Sequence, residues 1–200
     1  METILSMFLG IGLSASVGFR VFLPLFALSL ATYFGKWDLN ESWLWIGSLT
    51  AVITLGIATF VEITANYIPV VDSFLDTVAI PLATSAGAVV IVSTVVGLSP
   101  VITWAVAIIA GGGTAAAVKS SASVTRLGST LSTAGFGNFL VSTLETGVSI
   151  VISIVSIFLP IVAIILAIFI FYIVFNRYKK LRPNKSKSYE NRIFESVNHI

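Results

Sequence analysis

Seven ionisable residues lie in or beside stretches that are otherwise apolar: Arg20, Glu62, Asp72, Asp76, Lys119, Arg126 and Glu145. Three are cations and four are carboxylates, so they could largely neutralise one another. Arginine suits a phosphate or carboxylate because its planar fork donates two parallel hydrogen bonds. Lys119 and Arg126 are seven residues apart, on about one face of a helix. In "VEITANYIPVVDSFLDT", Glu62 and Asn66 are one turn apart, a turn at Pro69 follows, and Asp72 precedes Asp76 by four residues. Two carboxylates at that spacing share a helix face and could hold a divalent cation or a proton. Asp72 followed by Ser73 also has the form of a helix N-cap, whose carboxylate accepts backbone N–H bonds. A packed bundle core in which these charges pair with one another is the alternative at every one of these positions.

The surroundings make the charges costly. The chain is 56% hydrophobic and only 10% charged, with a mean hydropathy of +1.02, whereas a soluble domain carries about 25% charged residues. A polytopic all-α membrane bundle is the expected fold class, with residues 1–178 as the bundle and 179–200 as a basic, polar tail. A crossing helix needs roughly 20 residues, and Met7–Tyr33, Trp43–Ala65, Phe74–Val96 and Val101–Val118 qualify. The 37 apolar residues from Phe139 to Phe175 are too many for one crossing. A break at "FLP", where proline disfavours helix in the residue before it, divides them and brings the count to six. The first apolar run is too long for a signal peptide and lacks a basic leader, so it reads as a retained span. Arg20 then falls near mid-depth, with Pro24 able to kink the span beside it.

Six spans put Lys119 and Arg126 on the same side as the basic run that begins at Arg177, and the positive-inside rule makes that side cytoplasmic. Both termini are then cytoplasmic, in an inner or plasma membrane. The loop with Lys36, Asp38 and Glu41 lies outside, where Trp37, Trp43 and Trp45 fit an interfacial belt. The tail serves as a solvated topogenic anchor, with contact to anionic headgroups as the alternative; His199 has no assigned role. From Ala110 to Asn138 nearly every residue is small, which lets neighbouring backbones approach closely, and Gly111, Gly112 and Gly113 loosen the helix. Glu145 needs a cation nearby, either Arg126 or Lys119. "SASVGFR" and "DSFLDT" are echoed by "SASVTR" and "VSTLET", which would suit the inverted repeats of transporters.

Three motifs carry a family resemblance. They are Ala15, Arg20, Pro24 and Leu25 in A-x-x-x-x-R-x-x-x-P-L; the acidic "VEITANYIPVVDSFLD"; and Lys119, Arg126, Asn138, Ser142 and Glu145 in a K-x₆-R then N-x₃-S-x₂-E run. Together, over roughly Leu5 to Phe175, they resemble the integral membrane family catalogued as domain of unknown function 4126. That resemblance implies the membrane fold and no established activity. Tyr67 stands where a lysine is common in that family, Ile80 where an arginine often precedes the proline, and "TAGFGN" lacks the usual acidic residue. A weaker local likeness links "GFRVFLPLFAL" to DedA-type proteins and hints at lipid phosphate.

Function classes narrow accordingly. There is no nucleotide, hydrolase or zincin motif, and the only histidine is near the terminus. No enzyme activity, cofactor or resident metal is expected, and a net charge of +2 is too small to suggest nucleic acid. The leading expectation is a secondary transporter or lipid translocase. Its anionic, phosphate-bearing substrate would meet Arg20, Lys119 and Arg126, with Glu62, Asn66, Asp72, Asp76, Asn138 and Glu145 completing the site. A non-catalytic scaffold or assembly factor, with the charges as packing pairs, is the alternative. A metal-dependent enzyme on a lipid phosphate is third, and it needs Glu62, Asp72 and Asp76 to converge.

Overall fold

A computed structural model describes the backbone at residues 1–133 and 137–181; side chains at 69–77, 130–133 and much of 167–181 lie outside the description. Every described element is helical: α1 Glu2–Val17, α2 Phe22–Tyr33, a 3-10 turn Glu41–Gly47, α3 Leu49–Ala65, α4 Pro69–Thr94, α5 Pro100–Val106, a π-helical turn Ala107–Gly112, α6 Gly113–Thr133, α7 Asn138–Phe158 and α8 Pro160–Leu181. Pro100–Ser129 and Asn138–Phe158 are long and apolar enough to cross a membrane. The 3-10 turn and α3, bent by 65°, make a third crossing if taken together, and Glu2–Val17, Phe22–Tyr33 and Val78–Thr94 are shorter apolar helices.

The first apolar run is not one crossing. It is a hairpin, and its two arms can be traced by their contacts. Gly10 meets Ile91 and Thr94, and the Ser14 hydroxyl donates to the Gly87 carbonyl at 3.0 Å, so α1 runs antiparallel to α4. Gly12 lies against Ser156 and Ser16 bonds to Ser149 and Ser153, so α1 is also antiparallel to α7. After the turn, Phe22 lies near Glu62, Phe26 near Gly56 and Thr32 near Gly47, which makes α2 antiparallel to α3. The Asn40 N–H then reaches the Ser93 carbonyl at 2.9 Å, and the Trp37 indole N–H reaches the Ile157 carbonyl at 2.9 Å. The chain has thus returned to the end of the bundle where α1 begins. Arg20 therefore sits at the hairpin tip and not half-way along a spanning helix. The Gly18–Val21 break, where the Phe19 and Arg20 N–H groups both turn back to the Ser16 carbonyl, is the physical reason.

Local chemistry explains the other boundaries. At the end of α2, Gly35 (φ +65°) supplies a left-handed residue, with Lys36 N–H on the Ala31 carbonyl and Gly35 N–H on the Thr32 carbonyl. These are the two bonds of a Schellman stop. The Ser48 hydroxyl caps α3 by accepting from Ala51 N–H at 3.1 Å. α7 ends at Phe158 and α8 starts at Pro160, so the expected break at "FLP" is present. α4 starts at Pro69 with Ile68 as its cap. That overturns Asp72 as the capping residue: proline's preset φ suits the first helical position, and the helix begins one turn earlier than an Asp72 cap requires. α1 and α6 both run antiparallel to α4, since Gly87 meets Gly111 and Ala115. The two echoed segments therefore point the same way, in parallel and not in the inverted arrangement expected.

Small residues set the spacing inside. On α1, Gly10 and Ser14 face α4 while Gly12 and Ser16 face α7. α7 is polar inside and apolar outside: Ser142, Glu145, Ser149, Ser153 and Ser156 are buried, while Leu140, Leu144, Val148, Val151 and Ile154 are exposed. Such an inverted helix is stable where its surroundings are apolar. A side chain built at Gly87 would approach the Gly111 carbonyl at 2.6 Å, so Gly87→Val should cost about 1–3 kcal/mol by overpacking. Gly113, with nothing within 4 Å of a built Cβ, should accept alanine without loss; thermal unfolding in detergent compares the two.

Candidate functional site

One end of the bundle gathers five of the seven sequence-selected charges. Arg20 is held by the first turns of α7: its Nε donates to Thr146 Oγ1 at 3.0 Å, and its Nη2 donates to the Ser142 carbonyl at 2.8 Å and the Ser142 hydroxyl at 2.6 Å. Only 1% of it is exposed. Among the described residues no carboxylate lies within ion-pair distance of it, Glu62 included; of its other expected partners, Asp72 and Asp76, the side chains lie outside the described residues. Glu145, Glu62 and Arg126 are nevertheless close enough to act on it electrostatically.

Glu62 has a different task. Its Oε1 accepts the Val21 N–H at 2.6 Å and its Oε2 accepts the Phe22 N–H at 2.9 Å. Those are the first donors of α2, which has no capping side chain of its own. A carboxylate from α3 therefore caps α2 across the helix pair, at the positive end of that helix's dipole. Arg20 and Lys119 both lie within its electrostatic reach. Asn66, at the end of α3, donates to the Glu62 main-chain carbonyl at 2.6 Å and so closes the helix beneath it.

The third group joins α6 to α7. Arg126 Nη2 and Glu145 Oε2 form an ion pair at 2.5 Å, with side-chain exposures of 4% and 6%. Of the two cations suggested for Glu145, Arg126 is the one in ion-pair contact. The other oxygen, Glu145 Oε1, is buried without a described partner, as is Ser123 Oγ one turn before Arg126. Lys119 is buried two turns above Arg126 on α6, and Asn138 opens α7 half-buried. The side chains of Asp72 and Asp76 lie outside the described residues. Among the described residues no three metal-type ligands cluster.

Two features of the site escaped the sequence reading, which placed Ser142 in a family motif and gave it no role. Ser142 and Thr146, the acceptors for Arg20, belong to a stripe at 142, 146, 149, 153 and 156. That is alternate steps of four and three along one face of α7. A hydroxyl stripe of this period in an apolar helix was the available signal. The second is the cross-helix cap, which no local spacing encodes because Glu62 and Val21 are 41 residues apart.

Removing one member of a buried pair leaves the other uncompensated. Glu145→Ala should therefore lower stability by about 3–5 kcal/mol, while Arg126→Met with Glu145→Leu should recover most of the loss. Denaturant or thermal unfolding of the two variants beside the parent, in detergent, measures the loss and its recovery.

A family model described as "Domain of unknown function (DUF4126)" matches residues 7–180. No curated protein and no solved structure matches the chain.

Proposed function

The chain belongs to this uncharacterised family, and we propose that it is a small multi-pass transporter or lipid translocase for an anionic, phosphate-bearing substrate. The observation that carries the reading is the discontinuity at Arg20. Two short helices meet at a buried guanidinium, and the second directs its N-terminal N–H groups at the carboxylate of Glu62. Helix breaks of this kind serve anion sites in secondary transporters, where half-helix N-termini face the charged group. In the resting arrangement Glu62 occupies the place a substrate oxyanion would take. Displacement of Glu62 by that oxyanion, with Arg20, Lys119 and Arg126 around it, couples binding to a shift of α3 against α2. Asn66 and Asn138 flank the same end, and Asp72 and Asp76 belong to the proposed set by their sequence position alone. The π-helical turn at Gly111–Gly112, where α6 passes closest to α4, is the flexible element.

The topology follows from the hairpin. α1 and α2 enter and leave at one face, α3, α4, α5–α6, α7 and α8 cross, and the charged end with the basic C-terminal run faces the cytoplasm of an inner or plasma membrane. The amino terminus and the tryptophan loop then share the outer side, in place of the cytoplasmic amino terminus that six plain spans require. The protein has no native cysteine, so single-cysteine variants at Glu2, Ser42 and Ser186 test this cleanly. A membrane-impermeant maleimide should label the first two from outside and the third only after permeabilisation. Labelling of Glu2→Cys and Ser42→Cys from opposite sides would overturn the hairpin topology.

A scaffold is the second reading, favoured by the internal satisfaction of Arg20 by Ser142 and Thr146 and of Arg126 by Glu145. The metal-enzyme reading has less support, because both Glu62 oxygens are engaged with backbone N–H groups. Thermal stability of the purified protein against anionic lipids, phosphate esters and divalent cations separates these. Stabilisation by one phosphate-bearing class, lost in Arg20→Lys while that variant keeps its fold, is the expected result. Unchanged melting across the panel, with Arg20→Lys strongly destabilised, would favour the scaffold.

A further inference from the structure

The opposite end of the bundle holds a cavity unrelated to the charge cluster. It measures about 490 Å³, and Trp43 and Trp45 of the 3-10 turn and Trp104 of α5 line it, with Asn40, Ser42 and Thr103. That volume is within the usual range for small-ligand sites, roughly 300–1,000 Å³. A second cavity of about 370 Å³ shares Asn40 and Ser42 and is lined by Glu41. Three of the protein's four tryptophans therefore converge on one hollow. Interfacial anchoring alone explains indoles spread around a rim, but not indoles from two separate elements lining one half-open hollow. The Trp43 and Trp45 rings stand 6.1 Å apart, tilted by 33°.

The chemistry selects a cation. Indole faces attract positive charge through their quadrupole, and aromatic linings are the usual recognition device for alkylated ammonium groups. Described charges in the chain at this end are Glu2, Asp38 and Glu41 against Lys36 and the terminal amine, an acidic balance. A primary ammonium needs several acceptors to replace its strong hydration. Here the polar groups lining the hollow are few, the Asn40 amide and the Ser42 and Thr103 hydroxyls, and Asn40 Oδ1 shares its acceptor capacity with the Ser42 N–H at 3.3 Å. A quaternary ammonium spreads its charge over methyl groups and needs few acceptors.

We propose that the hollow lined by Trp43, Trp45 and Trp104 binds a quaternary ammonium group, with Glu41 as its counter-charge. The group is either a choline-type lipid headgroup or a free tetraalkylammonium ion. This site lies at the other end of the bundle from the anion site and does not depend on it.

Tryptophan emission reports on the site directly, because three of its four sources line the hollow. Tetramethylammonium chloride titrated into the full chain, in maltoside detergent and in phosphatidylglycerol nanodiscs, should give a saturable emission change that sodium chloride at equal ionic strength does not. Glu41→Gln should weaken half-saturation about threefold, as expected for a partly exposed charge pair. Trp104→Leu and Trp45→Leu should each weaken it about three- to thirtyfold. Loss of the response in phosphatidylcholine nanodiscs identifies the lipid headgroup as occupant, and a response persisting there identifies a free ion. An absent or non-saturable response in maltoside and phosphatidylglycerol would overturn the proposal. So would equal responses from sodium, or unchanged half-saturation in the correctly folded Glu41→Gln and Trp45→Leu proteins.

Discussion

A buried guanidinium needs acceptors on every side that water would otherwise fill, and the architecture around Arg20 answers that need. The turn between α1 and α2 brings it to the first turns of α7, where a carbonyl and two hydroxyls receive it. The same turn exposes the first N–H groups of α2, and Glu62 receives those. One break in an apolar run thus creates two unmet polar demands, and two different helices satisfy them. α3 and α7 are tied to the hairpin through those bonds, and α6 joins the cluster through Arg126 and Glu145. The registry of four helices at this end depends on a single turn.

Away from that end, close approach of small residues adds to an apolar core that includes Leu9, Leu13, Leu28 and Val90. α1 turns small residues toward both α4 and α7, and hydroxyl bonds such as Ser16 with Ser149 and Ser153, each at 2.8 Å, join the helices there. Most bulky residues of α7 point outward, with Ile152 and Ile157 the buried exceptions among the described residues. In hydrocarbon there is no hydrophobic penalty for that arrangement, and packing together with polar contacts decides which helices associate. The glycines at 87 and 111 bring α4 and the π-helical turn into backbone contact. They make that junction tight and sensitive to added volume.

The two ends of the bundle are chemically unlike. Arginine, lysine and glutamate converge at one; tryptophan, asparagine and an acidic balance shape the cavities at the other. The dissimilarity arises from the hairpin, because it carries the amino terminus and the tryptophan loop to one face and leaves Arg20 at the other.

Composition and spacing by themselves determined the class: an apolar helical chain, a break at Pro160, a small-residue helix before Asn138, and the set of charges that must find partners. Those properties are local, and the energies behind them act within a few residues along the chain. The sequence also carried the pairing of Arg126 with Glu145 as one of two options, since the adjacent helices α6 and α7 bring them together. Only the tertiary structure decided that Met7–Tyr33 is a hairpin, that Glu62 caps α2, and that Arg20 rests on a carbonyl and two hydroxyls of α7. A glycine followed by two residues in a long apolar run is compatible with a kink or a reversal, and the choice depends on which helices pack on either side. Several of those contacts join residues from 40 to 137 positions apart, and no periodicity within either segment records them.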